Sequence, residues 1–221
     1  MNFYNDKLLA HNYFKVIRNY KKSFSKIFIL KNFGLFAGDK SFYKIITCFE
    51  LIKNTKKIKG DIIEFGVWNG NNLVTLKKIL DFLNIKKKLY GFDHFKGMPK
   101  KYSSKFIGDI NLIRYIIKFF KLKNIFLLND DILNLKKYNS KFKKFSLIYI
   151  DCDIYKTTKI ILEEFHSKLS RGGYIVFDEG NHRPGTGEAL AMKNFYNKNK
   201  IKFKKIYLKK GYQPDVILQK K

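Results

Sequence analysis

Two short stretches concentrate carboxylates: Ile150-Asp151-Cys152-Asp153-Ile154-Tyr155 and Phe177-Asp178-Glu179. Each follows an apolar run, Phe145 to Ile150 and Gly173 to Phe177, so the acidic groups fall at the tips of buried strands. In an open parallel sheet the carboxyl ends of the strands border the crevice that binds ligands. Two adjacent tips would set Asp151 and Asp153 beside Asp178 and Glu179, and four carboxylates that close repel unless something positive sits among them. A hard divalent cation with oxygen ligands is the simplest answer. Ion pairing with the chain's many lysines is the other.

A third stretch, Glu64-Phe65-Gly66-Val67-Trp68-Asn69-Gly70, reads as a strand running into a small-residue loop and then a helix. Gly66 and Gly70 let backbone approach a ligand where side chains would obstruct it. Asp93 ends the next strand, where an acidic group can accept hydrogen bonds from both hydroxyls of a ribose. Together they point to a nucleoside-bearing cofactor. The loop matches neither GxGxxG nor GxxxxGK[ST], which disfavours a dinucleotide and a P-loop.

The elements that must position these residues alternate. Strands are expected at 61–65, 89–93, 125–128, 145–150 and 173–177, with helices at 71–83, 110–120, 157–169 and 187–199 between or after them. Residues 202–208 and 216–218 read as a terminal hairpin, and 41–53 as an amphipathic helix leading into the first strand. This alternation implies a Rossmann-like, doubly wound, mostly parallel α/β sheet with a C-terminal antiparallel hairpin. Residues 1–40 are basic and aromatic with helical spacing (Leu8, Leu9, Tyr13, Phe14, Ile17), a helical N-terminal appendage expected to act as a lid over the acceptor. Residues 41–221 form the catalytic domain.

Composition sets further bounds. With 45% apolar residues in 221, a sizeable core is expected and disorder is not. No apolar run spans a bilayer and no secretion signal is evident, which points to the cytoplasm. Cys48 and Cys152 make no metal-type cluster and are expected as free thiols. The net charge of +28 would suit an anionic partner. Yet the only arginines are Arg18, Arg114, Arg171 and Arg183, and nucleic-acid sites lean on arginine. Nucleic acid is therefore disfavoured as a partner, while a phosphorylated small molecule stays compatible.

Taken in order, these elements resemble the macrocin O-methyltransferase (TylF/MycF-like) family of class I methyltransferases. The resemblance is carried by residues 60–70, by Phe92-Asp93-His94-Phe95-Lys96-Gly97-Met98-Pro99, by Ile150 to Thr158, by Gly172 to Asp178, and by Gly187-Glu188. It implies S-adenosylmethionine as methyl donor and a sugar hydroxyl as acceptor. It places Glu64, Gly66 and Gly70 along the methionine and ribose side of the cofactor, Asp93 on the ribose hydroxyls and Asp131 near the adenine. It makes Asp151, Asp178 and Glu179 the ligands of Mg²⁺, with Glu179 standing where the family more often has Asp. A metal-bound hydroxyl needs a base. Asp153 is the first candidate and His182 the second. A nucleotide-activated sugar or another anionic glycan precursor of surface polysaccharide suits the basic charge, and a homodimer is the default for such folds. The competing readings are an RNA methyltransferase, a catechol-type methyltransferase of small phenols, and a non-catalytic binding protein on the same fold.

Overall fold

Alternating apolar strands and amphipathic helices build one mixed sheet with helices between its strands. The computed structural model describes residues 38–99, 106–209 and 211–221, together with positions 28, 31 and 34. Its elements are α1 (Asp39–Asn54), β1 (Asp61–Phe65), α2 (Asn71–Phe82), β2 (Leu89–Asp93), α3 (Ile110–Phe119), β3 (Ile125–Asn129), β4 (Phe145–Ile150), α4 (Tyr155–Phe165), β5 (Leu169–Phe177), α5 (Gly187–Asn199), β6 (Phe203–Tyr207) and β7 (Val216–Lys220). A ten-residue 3₁₀ stretch covers Ile132–Lys141 and a three-residue one His166–Lys168. The chain divides into compact units Met1–Tyr43 and Lys44–Lys221. Most of the expected appendage, residues 1–40, lies outside the described residues.

The strand order is β3-β2-β1-β4-β5-β7-β6. The first five strands run parallel. β7 is antiparallel to both β5 and β6, so the expected hairpin puts a single strand against the common direction. The order turns around between β1 and β4, because the chain first builds outward through β2 and β3 and then returns to the other side of β1. Such a switch point opens a crevice above the carboxyl ends of the two strands, since their connections leave in opposite directions. Glu64 approaches that crevice from β1 and Asp151 follows directly from β4.

β4 explains why the crevice is rigid. All six of its residues are buried. Leu147 and Tyr149 join the core on one face, while Ile148 and Ile150 join the core on the other. A strand covered on both faces reads as a continuous apolar run, as Phe145 to Ile150 does. The largest shift of an expected boundary falls between the fourth helix and β5. The helix expected to reach residue 169 ends at Phe165, and β5 begins at Leu169 rather than Gly173. Leu169 pairs with Phe145, and a register shift then follows before Leu147 meets Tyr174. Among the described residues, no helix is long and apolar enough to cross a membrane.

Candidate functional site

The cofactor side begins with a buried acid. Glu64 is 1% exposed, and its Oε1 accepts from Asn72 Nδ2 at 2.8 Å. Its Oε2 is buried with no hydrogen-bond partner among the described residues. An unsatisfied buried carboxylate oxygen costs about 1–3 kcal/mol or more, so it points to a donor still to come. Burial pushes the Glu64 carboxyl up to about 8, against the pull of Asn72 and Lys44. Next along the chain, Gly66 has φ +85°, and a Cβ there would lie 1.8 Å from the Asp151 carbonyl oxygen. The glycine loop and the first acidic loop therefore touch backbone to backbone, which only glycine allows. Gly70 stands at the head of α2 with φ 79° and makes no side-chain cap.

Asp93 spends its carboxylate on the same loop. Its Oδ2 accepts the amides of Val67 and Trp68 at 2.8 and 2.9 Å, and its Oδ1 accepts that of Phe95 at 2.7 Å. The group expected to meet ribose hydroxyls thus first fixes the glycine loop, with one lone pair left for a ligand. Asp131, expected near the adenine, caps the 3₁₀ turn after β3 by accepting the Leu133 amide at 2.9 Å. Its neighbour Asp130 takes the Tyr138 hydroxyl at 2.7 Å and an ion pair from Lys137.

The carboxylate side gathers at the tips of β4 and β5, as the sequence implies. Asp178 is 3% exposed, accepts the Tyr149 hydroxyl at 2.5 Å, and pairs with Lys44 at 2.8 Å. The same Lys44 Nζ lies 3.6 Å from Asp151 and 5.5 Å from the centre of the Tyr149 ring. Burial works against the Lys44 ammonium, but Asp178 and Asp151 outweigh it and raise its pKa, so it stays charged. Asp153 and Glu179 form a second pair that shares a side-chain hydrogen bond. Burial, then repulsion from Asp153, pushes Glu179 up to about 7. Burial and Asp178 raise Asp153 as well, but the bond from Glu179 opposes that rise. Within the pair, the shared hydrogen bond favours the proton on Glu179.

The backbone here is held under strain. Asp153 has φ 56°, a left-handed conformation that costs a non-glycine residue about 1–2 kcal/mol. The head of α5 stabilises it. The Glu188 amide donates to the Asp153 carbonyl at 3.2 Å, and a Cβ on Gly187 would come within 2.3 Å of that oxygen. Glu188 itself is 1% exposed, and its two oxygens accept the amides of Cys152 at 3.2 Å and Glu179 at 2.9 Å. One side chain therefore ties both acidic loops together. Sequence reasoning quoted Glu188 but gave it no role.

Three further residues were missed. Gln213, in the turn before β7, donates to Glu179 Oε1 at 2.9 Å. Asp215 accepts the Asn181 amide at 3.0 and 3.1 Å, fixing the loop after β5. Lys44 was one of many lysines. Only its place in an amphipathic helix just before β1, one helical turn ahead of the buried Cys48, distinguishes it in sequence. His182, the second candidate base, follows Glu179 in that loop, where burial, with Arg183 adding, lowers its pKa to about 4. At neutral pH it is an uncharged and weak base.

The side chains expected as metal ligands are otherwise engaged. Asp151 and Asp178 converge, but on Lys44, and Glu179 turns to Gln213 and Asp153. Among the described residues, no group of three or more His, Cys, Asp or Glu has the geometry to hold a metal ion. The residues as arranged do not fit Mg²⁺, which demands near-octahedral oxygen coordination. The charge that called for a cation is partly offset at Asp151 and Asp178 by an ammonium from the chain itself.

Residues 35–116 and 132–208 match the sequence model of the family described as Macrocin-O-methyltransferase (TylF). The chain is 30% identical over 174 residues to an ATP phosphoribosyltransferase regulatory subunit of Clostridium botulinum (strain Langeland / NCTC 10281 / Type F), covering 73% of this chain and 39% of that protein. It is 22% identical over 159 residues to demethyldecarbamoylnovobiocin O-methyltransferase of Streptomyces niveus, covering 64% of this chain and 60% of that one. The chain thus spans less than two thirds of the length of these curated relatives. The apo structure of CalS11, a TDP-rhamnose 3′-O-methyltransferase of calicheamicin biosynthesis, is similar in fold. Its TM-score is 0.73 at 18% identity, covering 96% of this chain and 93% of that one.

Proposed function

Because this chain belongs to the macrocin O-methyltransferase family, we propose that it transfers a methyl group from S-adenosylmethionine to a sugar hydroxyl, with Asp153 as general base. The observation that carries this reading is the backbone contact between Gly66 and Asp151. It joins the loop with an unsatisfied buried acid to the loop bearing the carboxylates, so donor and acceptor would meet across it.

Glu64, Gly66, Gly70, Asp93 and Asp131 would hold the cofactor. Glu64 Oε2 suits an ammonium, since an ammonium donor both satisfies the orphaned oxygen and favours its ionised form. When bound, the cofactor supplies an electrophilic methyl group on a sulfonium. The chain's own work is to place an acceptor hydroxyl and take its proton. The hydrogen bond shared with Glu179 favours the ionised form of Asp153, and Glu188 fixes its strained backbone, so a base is pre-positioned at the crevice. Lys44, paired with Asp151 and Asp178, opposes part of the rise that Asp178 imposes on that base. His182 is the weaker candidate because its lowered pKa gives it little affinity for a proton. A divalent cation such as Mg²⁺ enters this reading only as a competitor of Lys44 for Asp151 and Asp178.

Sugar acceptors are favoured by the relatives' own names, and a nucleotide-linked or otherwise anionic glycan precursor by the net charge of +28. The free thiols of Cys48 and Cys152 suit a reducing, cytoplasmic setting. The test is transfer of labelled methyl from S-adenosylmethionine to a panel of nucleotide sugars, catechols and RNA. Labelled nucleotide sugar is the expected product. Label in catechol or RNA alone would replace the sugar reading.

A further inference from the structure

A carboxylate pair at two strand tips is an expensive thing to build, because each charge leaves water and each repels the other. Something must offset that cost in the folded chain before any ligand arrives. Asp178 is almost fully buried, yet it has two donors from the chain: the Tyr149 hydroxyl at 2.5 Å and the Lys44 ammonium at 2.8 Å. The ammonium also reaches Asp151 at 3.6 Å and lies against the Tyr149 ring. It is anchored from α1, whose next turn buries Cys48 and whose following residues Leu51 and Ile52 are in the core. The lysine is therefore held by a packed helix and is not a surface side chain fallen inward.

A divalent ion ligated by Asp151 and Asp178 would need the space and the lone pairs that Lys44 uses. It would also lie within a few ångströms of a second positive charge in a poorly solvated crevice, where like-charge repulsion is strong. The two cations exclude each other. The third carboxylate does not tip the balance, since Glu179 is engaged by Gln213 and by Asp153. We propose that Lys44 is the resident cation of this crevice, holding Asp151 and Asp178 together in place of a divalent metal. The proposal rests on the crevice being the methyl-transfer site, and its test reads metal binding and cofactor binding separately.

The experiment is titration of the chelator-treated, desalted chain with MnCl₂, followed by the electron paramagnetic resonance signal of free Mn²⁺. Wild type is expected to take up no Mn²⁺ more tightly than about millimolar. Lys44→Gln, which removes the charge and keeps a polar side chain, is expected to gain one site per chain at least about tenfold tighter. Lys44→Arg keeps the charge and is expected to gain none. Titration with S-adenosylhomocysteine reports whether each variant is folded at the cofactor side. One Mn²⁺ per wild-type chain at micromolar affinity would overturn the proposal. So would a Lys44→Gln protein that binds S-adenosylhomocysteine and shows no gain in Mn²⁺ affinity. If Lys44→Gln does not fold, the wild-type titration decides alone. Failure of every protein to bind S-adenosylhomocysteine would count against the methyltransferase reading, and the Mn²⁺ result would still judge Lys44.

Discussion

The two halves of the crevice solve opposite problems. On the β1–β2 side, polar groups are satisfied within two neighbouring strands and their loops: Asp93 gives its oxygens to three amides, and among the described residues there Glu64 Oε2 is left over. On the β4–β5 side, charge is crowded, and the groups that hold it in place come from three other elements. Lys44 comes from α1, Glu188 from α5 and Gln213 from the hairpin turn. The first half is a hydrogen-bonded frame with one open position. The second is a set of like charges whose arrangement depends on three separate elements. The first should therefore tolerate changes in the second, while the second should be sensitive to its distant supports.

The sharpest break of this comparison is Asp153→Asn. Removing the base should lower turnover by about 10²- to 10⁴-fold while leaving the dissociation constant for S-adenosylhomocysteine within a few-fold of wild type. Parallel steady-state kinetics and calorimetry check this, and equal losses in both would erase the distinction between the halves.

Glu188→Gln comes next. The amide keeps one acceptor oxygen but presents an NH₂ to a backbone amide that needs an acceptor, costing about 1–3 kcal/mol of positioning. The expected result is a fall in kcat of about tenfold or more with little change in the KM for S-adenosylmethionine, because the cofactor half does not rest on Glu188. Restoration of kcat by Glu188→Asp is not expected, as the shorter chain cannot span both loops. A proportional rise in KM would mean that the halves are mechanically one.

The smallest effect concerns pH. Glu64 titrates at about 8 in the folded chain because of burial, above its ordinary value. The folded state therefore holds a proton that the unfolded state has lost, so Glu64 makes stability fall as pH rises from its ordinary carboxylate range towards 8. Glu64→Gln should flatten that part of the stability curve, as read by denaturant unfolding at successive pH values. An unchanged slope would show that Glu64 is ionised and partnered in the folded chain.

How much of this was readable in the sequence follows the same divide. β1, β4 and α5 fall at the residues expected, because continuous apolar runs and a leading glycine mark them without help from tertiary structure. The acidic tips and the glycine loop were legible for the same local reason. β5 was read four residues short because Gly172 and Gly173 look like the end of a helix. Gly172 instead has φ +79° inside the strand, near the register shift that lets Leu169 pair with Phe145. Lys44, Gln213 and Glu188 could not be assigned from spacing. Their partners lie more than a hundred residues away for Lys44, 34 for Gln213, and nine and 36 for Glu188. The expectation of Mg²⁺ rests on that local reading. The need for positive charge was read correctly, but nothing local says that a lysine on α1 supplies it.

The most direct test of the central claim is calorimetric titration of the chelator-treated chain with S-adenosylhomocysteine. The account predicts one binding event per chain, unchanged when Mg²⁺ is added and weakened by Glu64→Gln. No binding with or without Mg²⁺ would contradict it, and binding that appears only with Mg²⁺ would contradict the independence of the two halves.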